Sequence, residues 1–479
     1  MSLKKRAVRG LFWTFLERFS LQGISFVISI FMARLLLPAE FGLIGMITVV
    51  IALGMSLRDS GLTSSLIRTS EPTEADYSTV FFMNIASSFL IYALLYFTAP
   101  LIAEFFNKPV LRDIVRILSL KIIISAFSAI QNTRLTKAMH FKRQVMIQLP
   151  AVLLGGLAGI YFALQGFGVW SLVYMNLIQV SIVSLLLWFS TDWHPRWIFS
   201  LAKFKTHFSF GYKLTLAGLL NTIYENIYHI IIGKYFSAAQ LGFYTRAQSL
   251  KQLPVSNISS ALNKVTYPMF AELQHNDKKL KEVYRRLMQQ VLFWIAPILV
   301  GAGVLAEPLI RFLFTEVWLP AVPYFQILCI TGIMYPLHAY NLNILNVKGR
   351  SDLFLKLEIV KKSYVTLGVI LAIPFGIMGL LWFQVLSTFI AFFINTHYSG
   401  KLIQYPLVEQ IKNLLPVFAL AGFMGMVCYF ARQLVLNMFV PDWLQLVSIT
   451  GLGAMIYFGI AHVIKFSPYV EFKQLALKF

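Results

Sequence analysis

Five ionisable side chains stand inside long apolar runs: Glu17, Arg18, Lys121, Glu225 and Arg246. A charge at the centre of a bilayer costs about 2.5–3.5 kcal/mol on insertion scales unless water or a partner reaches it. Such residues therefore mark either a wet cavity or an ion pair. Arginine is the most informative of these types, because its planar fork binds phosphate through two parallel hydrogen bonds and never loses its charge. Arg18 lies about 10 Å into its apolar run at 1.5 Å per residue. Glu17 is its neighbour, but adjacent helical positions diverge by about 100° and do not pair naturally. Arg18 is thus the first candidate for holding an anionic substrate, with Lys121 and Arg246 behind it. Glu17 and Glu225 are candidates for ion coupling or for structural pairing; Glu225 and Arg246 fall at similar depth on consecutive helices, where a salt bridge is the plainer reading.

Other chemistries are missing. The seven Asp, at 59, 76, 113, 192, 277, 352 and 442, include no Asp-x-Asp pair of the kind that many sugar-nucleotide transferases use for a metal. There is no HExxH, GxxxxGK[ST] or GxSxG string. Cys329 and Cys428 sit alone in apolar segments and read as packing residues. The expectation is a protein that is not an enzyme and that needs no metal or cofactor.

The elements that must carry these charges follow from composition. Of 479 residues, 58% are hydrophobic and 13% charged, and the mean hydropathy is +0.71; a soluble domain has about a quarter of its residues charged. No Lys, Arg, Asp or Glu occurs between Arg143 and Asp192, nor between Lys362 and Lys401. Each stretch fits two spans of about 20 residues joined by a tight hairpin, marked by Gly166 and Gly168 in one and by Pro374 and Gly376 in the other. Apolar runs place spans at 11–33, 41–57, 79–103, 114–133, 145–164, 168–190, 209–232, 239–263, 287–310, 321–345, 363–374, 377–396, 413–431 and 443–464. The eleventh is short and should begin nearer Leu355. The basic, then apolar, start carries Glu17 and Arg18 and lacks a small-x-small cleavage site, so it reads as a retained first helix.

The net charge of +21 would suggest nucleic acid in a soluble chain, but here the cations sort by membrane side. With a cytoplasmic amino terminus, inside segments hold 29 Lys and Arg and outside loops 6. That pattern predicts both termini in the cytoplasm. RLLLPAEFG (Arg34–Gly42) aligns with KYFSAAQLG (Lys234–Gly242) at a shift of 200 residues, and Gln131 with Asn341 at about 210. We expect an all-α, polytopic membrane protein of about fourteen transmembrane helices: a six-helix lobe over 1–191, an interfacial linker over 192–208, a second six-helix lobe over 209–400, and two further helices within 401–479. The lobes are a parallel repeat, the arrangement in which transporters place substrate between halves.

Arg116, Lys213 and Lys251 lie near span ends and are expected to snorkel. Asn221, Tyr224, Gln131, Asn341 and Asn343 could meet sugar hydroxyls, although interhelical hydrogen bonding is the plainer role. The stretch Trp193–Phe210 mixes tryptophan with cations, as an interfacial anchor or hinge would. Neither it nor Asn276–Arg286 suggests nucleic-acid binding.

Several strings carry a family likeness: DSGLTSSLIR (Asp59–Arg68), DYSTVFFMN (Asp76–Asn84), APLIAEFFNKPVLRDIVRILSL (Ala99–Leu120), RLTKAMHFKR (Arg134–Arg143) and AEPLIRFLFTEVWLPAVPYFQIL (Ala306–Leu328), preceded by VRGLFWTFLERF and RLLLPAEFGLIGM. In this order and spacing the chain resembles the Wzx-like polysaccharide transport family, within the superfamily of multidrug exporters and oligosaccharidyl-lipid and polysaccharide flippases. The resemblance implies a fourteen-helix fold around a central cavity in the inner membrane of a bacterium. It implies alternating-access transfer of an undecaprenyl-diphosphate-linked oligosaccharide, an O-antigen, capsule or exopolysaccharide unit, from the cytoplasmic to the outer leaflet. It also implies cavity arginines on the first and eighth helices, where Arg18 and Arg246 stand, with membrane lipids, a polymerase and export machinery as partners. Two rivals stay open: a cation-coupled multidrug exporter, which would call for acidic cavity residues, and a membrane polymerase or ligase, which would call for a large outer loop.

Overall fold

The computed structural model describes residues 20–436 and 440–476, and all regular structure among them is helical. The helices are α1 (Ser20–Leu35), α2 (Pro38–Asp59), α3 (Leu62–Arg68), α4 (Glu74–Phe105), α5 (Leu111–Leu118), α6 (Leu120–Lys137), α7 (Phe141–Leu164), α8 (Val169–Ser190), α9 (Leu201–Glu225), α10 (Ile227–Tyr235), α11 (Ala238–Glu272), α12 (Asp277–Val304), α13 (Ala306–Phe314), α14 (Val322–Val347), α15 (Ser351–Ala372), α16 (Gly376–Leu402), α17 (Leu407–Leu436), α18 (Asp442–Val463) and α19 (Ser467–Ala476). A helix stands at each of the fourteen expected spans, and the chain is a multi-pass membrane protein. Among the described residues, nine segments are long and apolar enough to cross a membrane on length and composition alone, one of them, Ser351–Leu402, holding both α15 and α16. Helices α6, α9 and α11 fall outside that set because polar and charged residues run through them, as Lys121, Ser125, Ser128 and Asn132 do on α6.

Local signals set the breaks. Gly166 and Gly168 take φ of +79° and +54° between α7 and α8, and Gly376 takes +72° at the start of α16, which glycine adopts without a Cβ penalty. Both hairpins therefore fall where the sequence put them. The eleventh span does begin earlier than its apolar run, at Ser351. Two expectations need correction. The fourth span is broken at Ser119, so Lys121 stands in the first turn of a separate helix, α6. Lys251 does not snorkel: α11 extends to Glu272, which leaves Lys251 well inside the helix and 8% exposed.

Contacts divide the chain into two compact units, Met1–Gly242 and Phe243–Phe479. In the first, α7 and α8 form a hairpin, α6 packs on α4 and α8, and α9 packs on α2, α3 and α4. So α9, read from sequence as the opening of the second lobe, lies in the first unit. Its attachment explains why. Trp193 is buried in a cluster with Leu62, Leu66, Tyr77, Phe81 and Ile130, and its Nε1 donates to Glu74 Oε2 at 2.8 Å. The amides of Arg196 and Ser200 donate to Ser78 Oγ and Thr79 Oγ1. His207, 1% exposed, bridges Asp76 Oδ1 (3.1 Å) and Ser65 Oγ (2.8 Å). Lys203 Nζ and the Thr73 amide and hydroxyl donate to Asp76 Oδ2. The 192–208 segment is thus pinned to the start of α4, because that turn offers a row of short polar side chains and one buried carboxylate.

At the start of α2 and α11 the repeated strings meet. A Cβ on Gly42 would run into the Ala238 carbonyl, and a Cβ on Gly242 into the Pro38 carbonyl. The two helix starts cross backbone to backbone, each through the same position of its own copy of the string. In the second unit, α12 packs on α14 and α17, and α14 on α16. Tyr284 Oη donates to Asn341 Oδ1 at 2.8 Å, and Asn341 Nδ2 to Thr396 Oγ1 at 3.2 Å. Asn341 has the interhelical role expected of it. Gln131, its proposed repeat mate, is fully buried with no hydrogen-bond partner among the described residues.

Candidate functional site

Inside the first unit a polar chamber of about 580 Å³ is bounded by α2, α3, α6, α7 and α8. Helix α6 supplies Ser125, Ser128, Asn132, Thr133 and Thr136, of which 125, 128, 132 and 136 recur at intervals of three, four and four residues and so share one face. Helix α7 adds Gln144 and Gln148, and the α2–α3 region adds Ser56, Asp59 and Thr63. Gln144 Nε2 donates to Asn132 Oδ1 at 2.9 Å and Thr136 Oγ1 at 2.8 Å, which fixes the amide edge of the wall.

One cation enters this chamber, Arg58, in the last turn of α2. Left-handed residues at Ser60 (φ +44°) and Gly61 (φ +66°) end α2 there and turn the chain into α3. Arg58 is 8% exposed; Nη1 donates to Ser125 Oγ at 2.9 Å, and Nε has no hydrogen-bond partner. Among the described residues no carboxylate lies within 4 Å of its guanidinium. The adjacent Asp59 carboxylate accepts from Thr63 Oγ1. A buried arginine without an ion pair is costly to a fold, and the one carboxylate of the lining, Asp59, stands beyond ion-pair distance and is engaged by Thr63. The arrangement can take an oxyanion at Arg58 and hydroxyl-rich groups along α6. It lacks a nucleophile with a free base beside it: the Ser65–His207–Asp76 chain is closed to solvent, and Asp76 is already bound by Lys203 and Thr73.

Among the residues singled out from sequence, Lys121 lies on the same α6 face one turn beyond Ser125, with Nζ 3.3 Å from Asn176 Oδ1 on α8. It flanks the cavity without lining it. Glu225 ends α9 and is exposed. Arg246 is half-buried on α11, in the second unit. Glu17 and Arg18 lie outside the described residues. The sequence reading missed Arg58, which it counted among loop cations because it follows the apolar run by one residue. The recurrence of Ser125, Ser128, Asn132 and Thr136 within a membrane helix was the signal that could have revealed the chamber.

A second, apolar groove of about 420 Å³ lies in the second unit between α12, α17 and α18, lined by Pro297, Gly301, Met424, Cys428, Gly453 and Tyr457 among others.

Residues 31–323 match the model of a family described as polysaccharide biosynthesis protein. Over 479 residues the chain is 26% identical to the teichuronic acid biosynthesis protein TuaB of Bacillus subtilis, covering 99% of this chain and 98% of that one. It is 25% identical over 333 residues to the succinoglycan biosynthesis transport protein ExoT of Rhizobium meliloti, with 69% and 67% covered. Among solved structures, the lipid II flippase MurJ in an inward closed conformation superposes with a TM-score of 0.74 at 14% identity, covering 95% of this chain and 98% of that one. That likeness shows the fold.

Proposed function

We propose that this chain, which belongs to the family of polysaccharide biosynthesis proteins and is a transport protein of that family, moves a lipid-diphosphate-linked oligosaccharide from the cytoplasmic to the outer leaflet. The observation that carries the reading is Arg58: a buried cation that makes no ion pair among the described residues, in a chamber whose polar lining is hydroxyls and amides apart from Asp59, which accepts from Thr63. A diphosphate supplies the missing negative charge, and sugar hydroxyls suit the α6 wall. An arginine without a catalytic metal holds phosphate through its fork while leaving the phosphoanhydride intact, as a headgroup that must cross unchanged requires. The cations of the α2–α4, α6–α7 and α8–α9 connections then face the cytoplasm. Lys121, one turn along the same face, is the next cation on the path; Arg18 and Arg246 remain proposed contributors from the likeness of helix. Taken by itself, the apolar groove of the second unit has the character that a long hydrocarbon chain needs. Partners in polymerisation and export follow from the family alone.

The test is reconstitution. Purified protein in vesicles should speed the transbilayer movement of a diphosphate-linked oligosaccharide that otherwise crosses slowly. It should do so without hydrolysing ATP or transferring sugar. A cationic dye should not be moved. Transport of the dye with no effect on the lipid-linked saccharide would replace this reading with the multidrug exporter, with Asp59 as the carboxylate of the lining that faces the dye.

A further inference from the structure

A second polar recess of the first unit lies outside the α6 chamber, at the ends of α6 and α8 and the start of α4 and α7, with a volume of about 570 Å³. Three guanidiniums line it, Arg134, Arg143 and Arg196, and none has a carboxylate within 4 Å among the described residues. Two acids share the lining, Glu74 and Asp192, and Glu74 is engaged by the Trp193 indole N–H. With both histidines of the recess, His140 and His194, neutral, its walls carry net positive charge.

The recess is built rather than incidental. Arg134 is held between aromatic faces, its Cζ 5.1 Å from the Tyr77 ring and 5.6 Å from the Trp193 ring. Arg196 is placed by its own backbone amide on Ser78 Oγ. The next residues turn outward: Trp197 is 94% exposed and stacked on Phe82, and Ile198, Phe199 and Leu201 are exposed beside it. Exposed tryptophan beside arginine is the pattern of a membrane interface, where headgroups would meet the arginines and acyl chains the apolar side chains that follow Arg196.

We propose that this recess is a binding site for the phosphate of an anionic membrane phospholipid, taken by Arg134, Arg143 and Arg196, with the chains lying against Trp197 and Phe199. Guanidiniums suit a phosphodiester because each can offer two parallel donors. A soluble phosphate ester shares that chemistry but has no use for the exposed aromatic edge. The site does not depend on the transported substrate: it anchors the pinned 192–200 segment, and through it α9, to the surrounding bilayer.

The experiment uses the full chain. Native mass spectrometry of protein released from detergent would compare retention of phosphatidylglycerol with phosphatidylcholine of equal chain length, for the wild type and for the Arg134→Gln, Arg143→Gln, Arg196→Gln triple variant. A control triple, Lys278→Gln, Lys279→Gln, Lys356→Gln, removes the same charge from exposed positions of the second unit. Glycerol phosphate is added in a parallel arm. The expected result is one tightly held phosphatidylglycerol in the wild type and the control, weakened about 100-fold in the recess variant, since each interfacial cation contributes a factor of about five. Phosphatidylglycerol retained equally by the recess variant, or no preference over phosphatidylcholine, overturns the proposal. Saturation by glycerol phosphate with no lipid preference overturns the lipid assignment in favour of a soluble phosphate ester. Normal thermal stability of the recess variant excludes misfolding as the cause of any loss.

Discussion

Replacing Arg58 with methionine separates a functional charge from a structural one by the sign of two measurements. In the resting protein, Arg58 buries a guanidinium whose Nε has no partner and whose single hydrogen bond runs to Ser125 Oγ. An unsatisfied buried donor costs about 1–3 kcal/mol and a hydrogen bond from a charged group returns about 1.5–3 kcal/mol, so the two nearly cancel and the cost of burying the charge is left over. Methionine has nearly the same length, carries no donor and fills irregular space. Arg58→Met is therefore expected to leave stability unchanged or to raise it by about 1–2 kcal/mol, in line with apolar replacement of other buried charges. Transport should move the other way. Charge-assisted hydrogen bonds contribute about 1.5–3 kcal/mol each, so losing one to a diphosphate lowers the transport rate at limiting substrate about 10- to 150-fold. Arg58→Lys, which keeps charge but not the fork, should fall between. The assay pairs a detergent melting curve with vesicle transport of lipid-linked oligosaccharide. A variant that melts earlier yet transports normally would make Arg58 a structural brace and refute the reasoning.

Asp76→Asn removes the charge that holds Lys203 and His207 to the start of α4; we expect a loss of about 1.5–3 kcal/mol in stability and earlier proteolysis of the 192–208 segment, read by limited digestion. Gly301→Leu should fill the apolar groove without backbone conflict, because the nearest atom to a Cβ there is Met424 Cε at 3.9 Å; transport of a long-chain substrate should fall more than that of a short-chain analogue, with protein abundance unchanged. Cysteines placed at Lys4 and Lys473 should resist an impermeant thiol reagent in intact cells while one at Lys108 reacts, as the cation sorting requires; the opposite pattern reverses the orientation and with it the direction assigned to transport.

Spans were legible because lipid leaves the chain few alternatives: backbone groups must bond within helices, so apolar runs and their glycine breaks translate almost directly into α7–α8 and α15–α16. What hydropathy cannot register is packing by polar atoms. Ser65, Ser78, Thr79 and Asp76 are small polar residues of kinds found in any loop or helix start, yet together with His207 they decide that α9 joins the first unit. Arg58 was hidden by the same limit, since a cation one residue past an apolar run is ordinarily solvated, and only the left-handed Ser60–Gly61 turn leaves it facing α6. Lys121 was recognised as unusual, but not its place in the first turn of a new helix, because the break at Ser119 carries neither Gly nor Pro to announce it.

The crossing of Gly42 with Ala238 and of Gly242 with Pro38 has a consequence for how such a chain can change over generations. Each glycine faces a main-chain carbonyl, which no mutation can trim. A larger residue at either position cannot be offset by a smaller one opposite, as happens in side-chain cores. Genetic suppressors of Gly42→Ala should therefore not arise at Ala238 or Gly242. They should appear where the helix starts themselves can tilt, at Leu37, Pro38 or Ser237, so that one string shifts as a whole relative to the other. Two similar strings are in this way barred from changing at the point where they touch.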